Sequence, residues 1–385
     1  MRWSEWRPAL LLPGLLLAAA GLGAQPADPT GEASGIETGA LLWLRGLQLS
    51  GEPVPGQRLA NAQLRLQAES GAGELRSPRW VAHLEGGLWR SRRPEGWAWL
   101  EPAASERGWQ TPRPRRRARE AASLQLDWAY LEGRDAHWQY SLGRQPISRG
   151  LGRLWSVLDL HAPFQPTDLE RLYKPGVDAL WLERQLGPGL ASQSLISLRR
   201  EAPDAGRSAH WQQGLAWQGE QALGQLWLAG RSGQRLLGLG AQRLDWLGGD
   251  WYAELLLHRD DRAAGADWQR RLLLGAQYRL APRRVLGVEL LQQSEPAARA
   301  LPRLGGGRHY LAGTLGWELH PLLQLDLLLL RNGSDASAQG LAALKWQARE
   351  ALELRASWSA PLAGGPGSEY RRQGRVLQLS LLLHY

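Results

Sequence analysis

Residues 59–69 read Leu-Ala-Asn-Ala-Gln-Leu-Arg-Leu-Gln-Ala-Glu, in which apolar and polar side chains alternate strictly from residue 60 onward. A β-strand turns successive side chains to opposite faces, so one face of this segment is apolar and the other is polar. An amphipathic helix would instead repeat its apolar residues at i, i+3, i+4 and i+7. The same period of two recurs at residues 123–130, 352–358 and 377–385. The chain is therefore predicted to consist of strands with one apolar face.

The number and spacing of these segments indicate how the strands are arranged. Eighteen segments follow the pattern, and their length of about 9–13 residues suits a tilted strand that crosses a bilayer. Short turns alternate with longer loops such as 90–120 and 144–175, which is typical of a bacterial outer-membrane barrel. We predict an all-β fold: a transmembrane antiparallel up-and-down β-barrel of about 18 strands, with 16 as the alternative count. A secreted β-sandwich or solenoid would share the strand pattern but not the alternation of loop lengths. The predicted segments are 38–49, 59–69, 79–89, 121–132, 134–143, 176–187, 190–200, 209–219, 221–230, 235–247, 250–259, 267–280, 284–293, 308–319, 322–331, 339–348, 351–359 and 375–385.

The composition agrees with a barrel and excludes several other classes. The 385 residues include 46 Lys and Arg, 37 Asp and Glu, and no Cys, giving a formal net charge of +9. The absence of Cys excludes disulfides and Cys-ligated zinc or iron–sulfur sites. A mean hydropathy of −0.38 excludes a polytopic helical membrane protein. It does not exclude a barrel, because the mean averages the apolar and polar faces of each strand.

The N-terminus has the layout of a secretory signal. Arg2 and Arg7 precede an apolar stretch over residues 9–24, which ends at Gln25-Pro26. We predict a signal peptide over residues 1–24 and an outer-membrane β-barrel domain over 25–385, with an N-terminal anchor helix as the alternative. Export to the bacterial outer membrane leaves no role for the positive charge in binding nucleic acid.

Tryptophan is unusually frequent, and its positions suggest two girdles. Indole prefers the boundary between lipid and water, and the 21 Trp residues include many at predicted strand ends. Tyr385 ends the last strand, and outer-membrane barrels similarly end on an aromatic residue that the barrel-assembly machinery reads. The predicted girdles contain Trp128, Trp138, Trp217, Trp246, Trp251, Trp317 and Trp346 beside short turns, and Trp211, Trp268 and Trp358 beside longer loops.

The polar faces of the strands are predicted to line the barrel interior. Basic and acidic side chains on these faces are roughly balanced, so the surplus positive charge lies in loops, mainly in residues 113–119. That basic run has two interpretations: contact with lipopolysaccharide phosphates, or capture of an anionic solute at the pore mouth. The charged lumen-lining candidates are Arg65, Asp127, Glu254, Arg271, Arg279, Asp326, Lys345, Glu353 and Arg355.

The loop 144–175, between the fifth and sixth predicted strands, is long and too apolar to lie in solvent. Thr167 and Glu170 form a capping box, which predicts a short helical turn over 168–173. We expect the loop to fold into the barrel, where it either constricts or plugs it. Its charged residues would then set selectivity, or alternatively form salt bridges that pin the loop to the wall. The constriction-loop candidates are Arg144, Arg149, Arg153, Trp155, Asp159, Asp168, Glu170 and Arg171.

One part of this loop resembles a known family. The stretch Gly143-Arg144-Gln145-x-Ile147-x-x-Gly150-x-Gly152-Arg153-Leu154-Trp155, with residues 174–180, resembles a segment of porin-like outer-membrane proteins of proteobacteria. The broader set includes alginate-export-like barrels, which have a similar Gly-Arg-Gln strand end. The resemblance covers about 40 residues and implies a β-barrel channel. An alginate exporter is expected to have a strongly basic lumen, unlike the balanced lumen predicted here.

Catalytic motifs are absent from the sequence. There is no Gly-x-Ser-x-Gly elbow and no His-Glu-x-x-His, and Ser156, Asp159 and His161 form the one cluster with catalytic residue types. We therefore predict a non-enzymatic porin-like channel for passive diffusion of small hydrophilic, including anionic, solutes. No cofactor or metal is expected. The alternative is a barrel that sheaths a partner in an export or electron-transfer assembly. The expected partners are outer-membrane lipid, lipopolysaccharide, the assembly machinery through Tyr385, and small solutes; a homotrimer is left open.

Overall fold

The computed structural model describes residues 36–50, 56–94, 115–161, 163–167, 173–200, 207–231, 233–262, 267–294, 301 and 304–385. The predicted signal peptide and residues 168–172 of the helical turn predicted over 168–173 lie outside these residues. No helix in the described ranges is long and apolar enough to cross a membrane.

Within these ranges the chain forms a closed antiparallel barrel. Eighteen strands make the wall, and the ring closes because β1 pairs with β2 on one side and with β19 on the other. The three-residue β4 pairs with β5 next to the wall. The strands are β1 (Glu37–Ser50), β2 (Gln57–Ser70), β3 (Arg79–Ser91), β4 (Arg115–Arg117), β5 (Glu120–Arg134), β6 (Trp138–Pro146), β7 (Gly176–Gly187), β8 (Leu190–Arg200), β9 (Arg207–Gln218), β10 (Ala222–Arg231), β11 (Gln234–Trp246), β12 (Gly249–Asp260), β13 (Gln269–Ala281), β14 (Arg284–Gln293), β15 (His309–His320), β16 (Leu323–Asn332), β17 (Ala338–Arg349), β18 (Leu352–Ala363) and β19 (Arg375–His384). The described residues also include the short helix α1 (Glu369–Gln373).

The prediction of an all-β barrel with 18 strands is confirmed, and the alternative count of 16 is wrong. The predicted segments 176–187, 190–200 and 284–293 coincide with β7, β8 and β14. The predicted segments 121–132 and 134–143 place a turn at Gly133, and this is wrong because β5 continues to Arg134. The chain turns instead where the Asp135 carboxylate accepts the backbone N–H groups of His137 and Trp138, at 2.8 and 2.7 Å.

The outer face of the wall is apolar, as the alternation predicts. Leucines such as Leu124, Leu290 and Leu379 are more than half exposed, which is the expected state of side chains that meet lipid. Exposed indoles lie toward both ends of this face. Beside the turns they are Trp138, Trp217, Trp246 and Trp346, and beside the loops they are Trp211, Trp268 and Trp358.

Trp128 is an exception to the predicted girdle. The register between β3 and β5 shifts between His83 and Leu84, which leaves Asp127 as an extra residue in β5. Such a bulge reverses the face of every residue that follows it. Trp128 therefore stacks on His83 with ring centroids 4.2 Å apart, and its indole N–H donates to the carbonyl of Lys174 at 2.9 Å. The prediction that Trp128 belongs to the girdle is wrong.

The inner face is not polar throughout, which corrects a second prediction. Leu236, Leu256, Leu273 and Leu291, on β11 to β14, have inward side chains with at most 2% exposure. They pack in one apolar cluster with Trp155, Val157, Leu158 and Leu160 of the loop 144–175. Two lumen-lining candidates are covered in the same region: Glu254 is 0% exposed and Arg271 is 1% exposed. The loop supplies apolar partners to this part of the wall, so its strands do not need a polar inner face.

Candidate functional site

The described part of the loop 144–175 lies against the inward side chains of β8 to β15. Near its start, Gln225 of β10 donates its side-chain amide to the carbonyl of Arg149 at 2.9 Å. Near its end, Arg231 of the same strand donates to the carbonyl of Leu160 at 2.9 Å. The loop therefore passes the inner face of β10 twice, at Gln225 near its start and at Arg231 near its end. We call residues 147–161 the inner segment.

Glu254 of β12 holds the middle of the inner segment. Its carboxylate accepts the backbone N–H groups of Gly152 at 3.0 Å, Val157 at 2.7 Å and Leu158 at 3.3 Å, and that of Leu151. The hydroxyl of Ser156 donates to the same carboxylate at 3.1 Å. A buried carboxylate needs several donors to offset its lost hydration, and here the loop backbone supplies most of them.

Glu289 of β14 holds the tip of the inner segment in the same manner. It accepts the backbone N–H groups of Arg153 at 2.6 Å, Leu154 at 3.0 Å and Trp155 at 3.0 Å. The hydroxyl of Tyr252 on β12 donates to the same carboxylate at 2.7 Å. Successive backbone N–H groups that converge on one point form an anion-binding concavity. In this protein, the wall itself provides the anion.

Trp155 is the apolar anchor of the segment tip. It is 1% exposed, and its indole N–H donates to the carbonyl of Leu304 at 3.1 Å. Its ring lies 5.7 Å from that of Tyr310 on β15, measured between centroids. Burial of an indole with its N–H satisfied stabilises the tip and fixes its distance from the wall.

The two ends of the loop are tied to each other. The ammonium group of Lys174 donates to the carbonyl of Ile147 at 2.5 Å and forms an ion pair with Asp159. Lys174 and Asp159 are 8% and 6% exposed in their side chains. A paired and hydrogen-bonded buried charge holds its neighbours in one geometry, because separating the pair would leave an uncompensated charge.

Arg65 connects the end of the loop to β2, β3 and β5. Its guanidinium forms ion pairs with Glu85 and Asp127 and lies 4.0 Å from the centroid of the Tyr173 ring. It also donates to Nδ1 of His83 at 2.9 Å. A planar guanidinium can do this because it donates in its plane and stacks on its face. Arg65 and Asp127 thus bind each other on the inner face and are nearly buried.

The predicted constriction residues fall into separate environments. Arg144 forms an ion pair with Asp178 of β7 at 3.5 Å and is 5% exposed. Arg149 donates to the Gln193 amide, and its guanidinium lies 5.6 Å from the centroid of the Trp181 ring. Burial lowers the pKa of Arg149 to about 10, against an opposing effect of Glu183. The side chain of Arg153 is exposed. Asp168, Glu170 and Arg171 lie outside the described residues.

The remaining lumen candidates lie where water reaches the inner wall. Lys345 and Asp326 form an ion pair of 2.9 Å, with side chains 31% and 26% exposed. Arg355 and Glu353 form a second ion pair. Both pairs line a cavity of about 760 Å³ at the turn end of the barrel, between β13 to β18 and the loop residues Leu154 and Pro166. Arg279 of β13 is exposed near the same end.

The cluster with catalytic residue types is linked through backbone groups: the N–H of Asp159 donates to the Ser156 hydroxyl at 3.1 Å, and the N–H of His161 donates to the Asp159 carboxylate at 3.3 Å. The Ser156 hydroxyl bonds to Glu254, the Asp159 carboxylate pairs with Lys174, and the ring of His161 lies 3.0 Å from the hydroxyl of Ser197. These side chains therefore do not form a serine–histidine–aspartate chain.

Glu289 belongs to the site but is not among the residues predicted from the sequence. Glu289 is a single acid between Val288 and Leu290 in a strand of apolar residues. A lone carboxylate on the inward side of such a strand was the available signal, since it must find donors from another part of the chain. The donors themselves are backbone groups and leave no sequence pattern.

Comparison with known proteins supports the fold. The sequence matches no protein-family model and no curated protein. Solved structures are similar at low identity: OccAB2 of Acinetobacter baumannii has 9% identity and a TM-score of 0.61, and the match covers 92% of this chain and 99% of that chain. OpdK of Pseudomonas aeruginosa, solved with vanillate, has 11% identity and a TM-score of 0.61, with 91% and 98% covered. Another structure, described as the outer membrane protein OpdK from Pseudomonas aeruginosa, has 10% identity, a TM-score of 0.58 and coverages of 91% and 99%. The fold of this chain is therefore that of porin-like barrels.

Proposed function

We propose that this chain is an outer-membrane porin-like channel for passive diffusion of small hydrophilic solutes, and that the loop 144–175 narrows it. The observation that carries the proposal is that one part of the barrel interior is filled by the loop and another part is open. The inner segment packs in one apolar cluster with inward side chains of β10 to β17, whereas charged and amide side chains at the turn end of β13 to β18 line an open cavity of about 760 Å³. A barrel of 18 strands is wide enough for a channel when its interior is only partly filled.

Anionic solutes belong to the proposed range. Support comes from OpdK, a barrel of the same fold that was solved with the aromatic carboxylate vanillate. Arg153, with its exposed side chain at the tip of the inner segment, is the constriction candidate best placed to meet such a solute. The finer resemblance to alginate-export-like barrels stays a prediction.

The alternative role as a sheath around a partner is not favoured, because the inner segment already occupies the part of the barrel interior beside the apolar cluster of β10 to β17. A catalytic role is not favoured either, since the side chains of Ser156, Asp159 and His161 contact three different side chains, those of Glu254, Lys174 and Ser197.

The predicted partners remain proposals, and the residues that would contact two of them are exposed. The basic β4 (Arg115–Arg117) is exposed, as contact with lipopolysaccharide phosphates or with an anionic solute requires. Tyr385 exchanges backbone hydrogen bonds with Ala40 at 2.8 and 3.0 Å while its side chain stays 60% exposed, as recognition by the assembly machinery requires. A homotrimer remains a prediction of the sequence.

Incorporation of purified protein into a planar bilayer tests the channel function. Folded barrel, identified by a different gel mobility before and after boiling, is expected to give stable conductance steps. Folded protein that gives no steps over many incorporations would overturn the proposal.

A further inference from the structure

We propose that the 760 Å³ cavity at the turn end is a selectivity site for small zwitterions, molecules that carry one ammonium and one carboxylate group. In this site Lys345 and Arg355 receive the carboxylate, and Asp326 and Glu353 receive the ammonium group. The inference rests on the proposed function, because only a conducting channel can select among solutes.

The four charged side chains form one compact group. Lys345 of β17 lies directly opposite Arg355 of β18 in the strand register. Lys345 pairs with Asp326 of β16 at 2.9 Å, and Arg355 pairs with Glu353 two residues earlier in its own strand. Directly opposed residues on neighbouring strands are about 5 Å apart, so the two ion pairs are adjacent. The group has two positive and two negative charges and no net charge.

These side chains meet water, unlike the buried charges beneath the inner segment. Their exposed fractions are 31% for Lys345, 26% for Asp326, 12% for Arg355 and 16% for Glu353. Glu254, in contrast, is fully buried and bonded to the loop. A solute inside the cavity can therefore reach the four charges without displacing the loop.

The pairing determines which solutes gain from the site. A simple anion that approaches Lys345 also meets the negative charge of Asp326, which occupies the same ammonium group. A simple cation that approaches Glu353 likewise meets the positive charge of Arg355, which already occupies the carboxylate. A zwitterion replaces both halves of a pair at once, so the number of opposite-charge contacts is conserved. Charge arrangement, and not net charge, then decides the preference.

The neighbouring wall continues the same pattern. Ser380 of β19 lies opposite Arg355 and, on its other side, opposite Arg45 of β1. The Arg45 guanidinium donates to the amide oxygens of Asn61 and Gln63, both at about 3.0 Å. The positive charge of Arg45 is therefore also accompanied by side-chain acceptors, so this stretch of the inner wall presents local dipoles to a passing solute.

Flux into proteoliposomes tests the inference with three matched probes: glycine, acetate and methylammonium. Acetate and methylammonium each carry one of the two charges of glycine. At equal concentration, glycine is expected to cross roughly two- to five-fold faster than either, the factor that one partly exposed ion pair can supply. In a planar bilayer under a salt gradient, the reversal potential of the unmodified protein is expected to lie near zero.

Charge-removing variants separate the site from general effects. Lys345→Gln should shift the reversal potential toward cation selectivity and Asp326→Asn toward anion selectivity, and both should remove the glycine advantage. The double variant should restore a reversal potential near zero without restoring the advantage. Lys345→Arg should retain it, and Arg259→Gln, a loop-end control outside the cavity, should behave as unmodified protein.

The outcomes distinguish the two proposals. A channel that conducts, but carries acetate or methylammonium at least as fast as glycine, overturns the zwitterion site and leaves the channel function standing. Reversal potentials that move in the same direction in Lys345→Gln and Asp326→Asn also overturn the site. Absence of conductance in folded protein overturns both proposals.

Discussion

The backbone N–H of Trp155 donates to Oε2 of Glu289 at 3.0 Å and joins the tip of the inner segment to β14, although the two residues are 134 positions apart. Together with Glu254 on β12, this contact makes two buried wall carboxylates the main polar attachment of the segment. The lost hydration of each carboxylate is offset by several backbone N–H donors of the loop, and each group of donors has one carboxylate as its acceptor. Neither side of the contact is stable in this burial without the other, which explains how a loop can hold one position inside a barrel.

Glu289→Gln and Glu254→Gln are expected to loosen the inner segment without unfolding the barrel. Glutamine has one acceptor oxygen, and it places an N–H₂ group against backbone donors. A hydrogen bond to a charged group contributes about 1.5–3 kcal/mol, and several would be weakened at once. Single-channel recording should show a larger unit conductance and more open-channel noise.

The control for these variants is Glu120→Gln, at an exposed strand end where the carboxylate pairs with Arg90 at 3.8 Å. It should leave conductance and noise unchanged. The heat needed to change the gel mobility should stay similar in all three proteins, because the strand ladder is intact. An unchanged conductance in both Glu254→Gln and Glu289→Gln would refute the attachment role.

Gly152→Ala is expected to displace the tip of the inner segment by backbone overlap. A Cβ atom at this position would overlap the carbonyl oxygen of Trp155 and the side chain of Leu273, so the chain would have to move. Limited proteolysis of folded protein should cleave the loop faster than in the unmodified chain. Gly365→Ala, where a Cβ would meet no atom within 4 Å, is the control and should be cleaved at the unmodified rate.

Arg153 and Arg144 are expected to differ in their effect on ion selectivity, although the sequence places both among the constriction candidates. Arg153 has an exposed side chain at the segment tip, whereas Arg144 is buried in an ion pair with Asp178. Arg153→Gln should therefore shift the reversal potential toward cation selectivity. Arg144→Gln should leave it unchanged and lower thermal stability instead, since it leaves Asp178 without this partner. Equal shifts in the two variants would contradict the assignment.

The sequence predicted the strands well because a period of two is a local property. The limits of β7, β8 and β14 follow from side-chain alternation and turn residues alone. The bulge at Asp127 was not predictable in this way, because it depends on the pairing of β5 with β3. The attachment of the loop to Glu254 and Glu289 was missed for a related reason: its donors are backbone N–H groups far away in the chain. Long-range pairing therefore determines the features that periodicity does not reveal.

The inward position of Trp128 can be tested by labelling single cysteines, since the chain has no native Cys. Leu124→Cys lies on the outer face, where Leu124 is 59% exposed, and a fluorophore at this position should be quenched by brominated lipid. Trp128→Cys, four residues along and on the same face by simple alternation, should show no such quenching because of the bulge at Asp127. Equal quenching at both positions would show that the bulge is absent in the membrane.

Acid is expected to loosen the loops at the mouth through Asp335, which lies in the connection between β16 and β17. Burial raises the pKa of Asp335. Hydrogen bonds from the backbone N–H of Glu369 at 2.7 Å and from the hydroxyl and N–H of Ser337 lower the pKa by more than burial raises it, so the folded pKa is below the ordinary value of 3.8. A lowered folded pKa means that the stabilisation is present above the ordinary pKa and is lost as the pH falls through the folded value. Glu369 in turn binds the N–H of Gly306 at 3.1 Å and the amide of Asn332 at 2.7 Å, so release of Asp335 should free the start of α1 and the connection before β15.

Pepsin, which is active in acid, should therefore cleave residues 364–374 faster as the pH falls below the ordinary pKa of Asp335. Asp335→Asn should be cleaved fast throughout, whereas Asp267→Asn, an exposed loop-end aspartate, should behave as the unmodified chain; a cleavage rate in Asp335→Asn that keeps the unmodified pH profile would assign the acid sensitivity to another group.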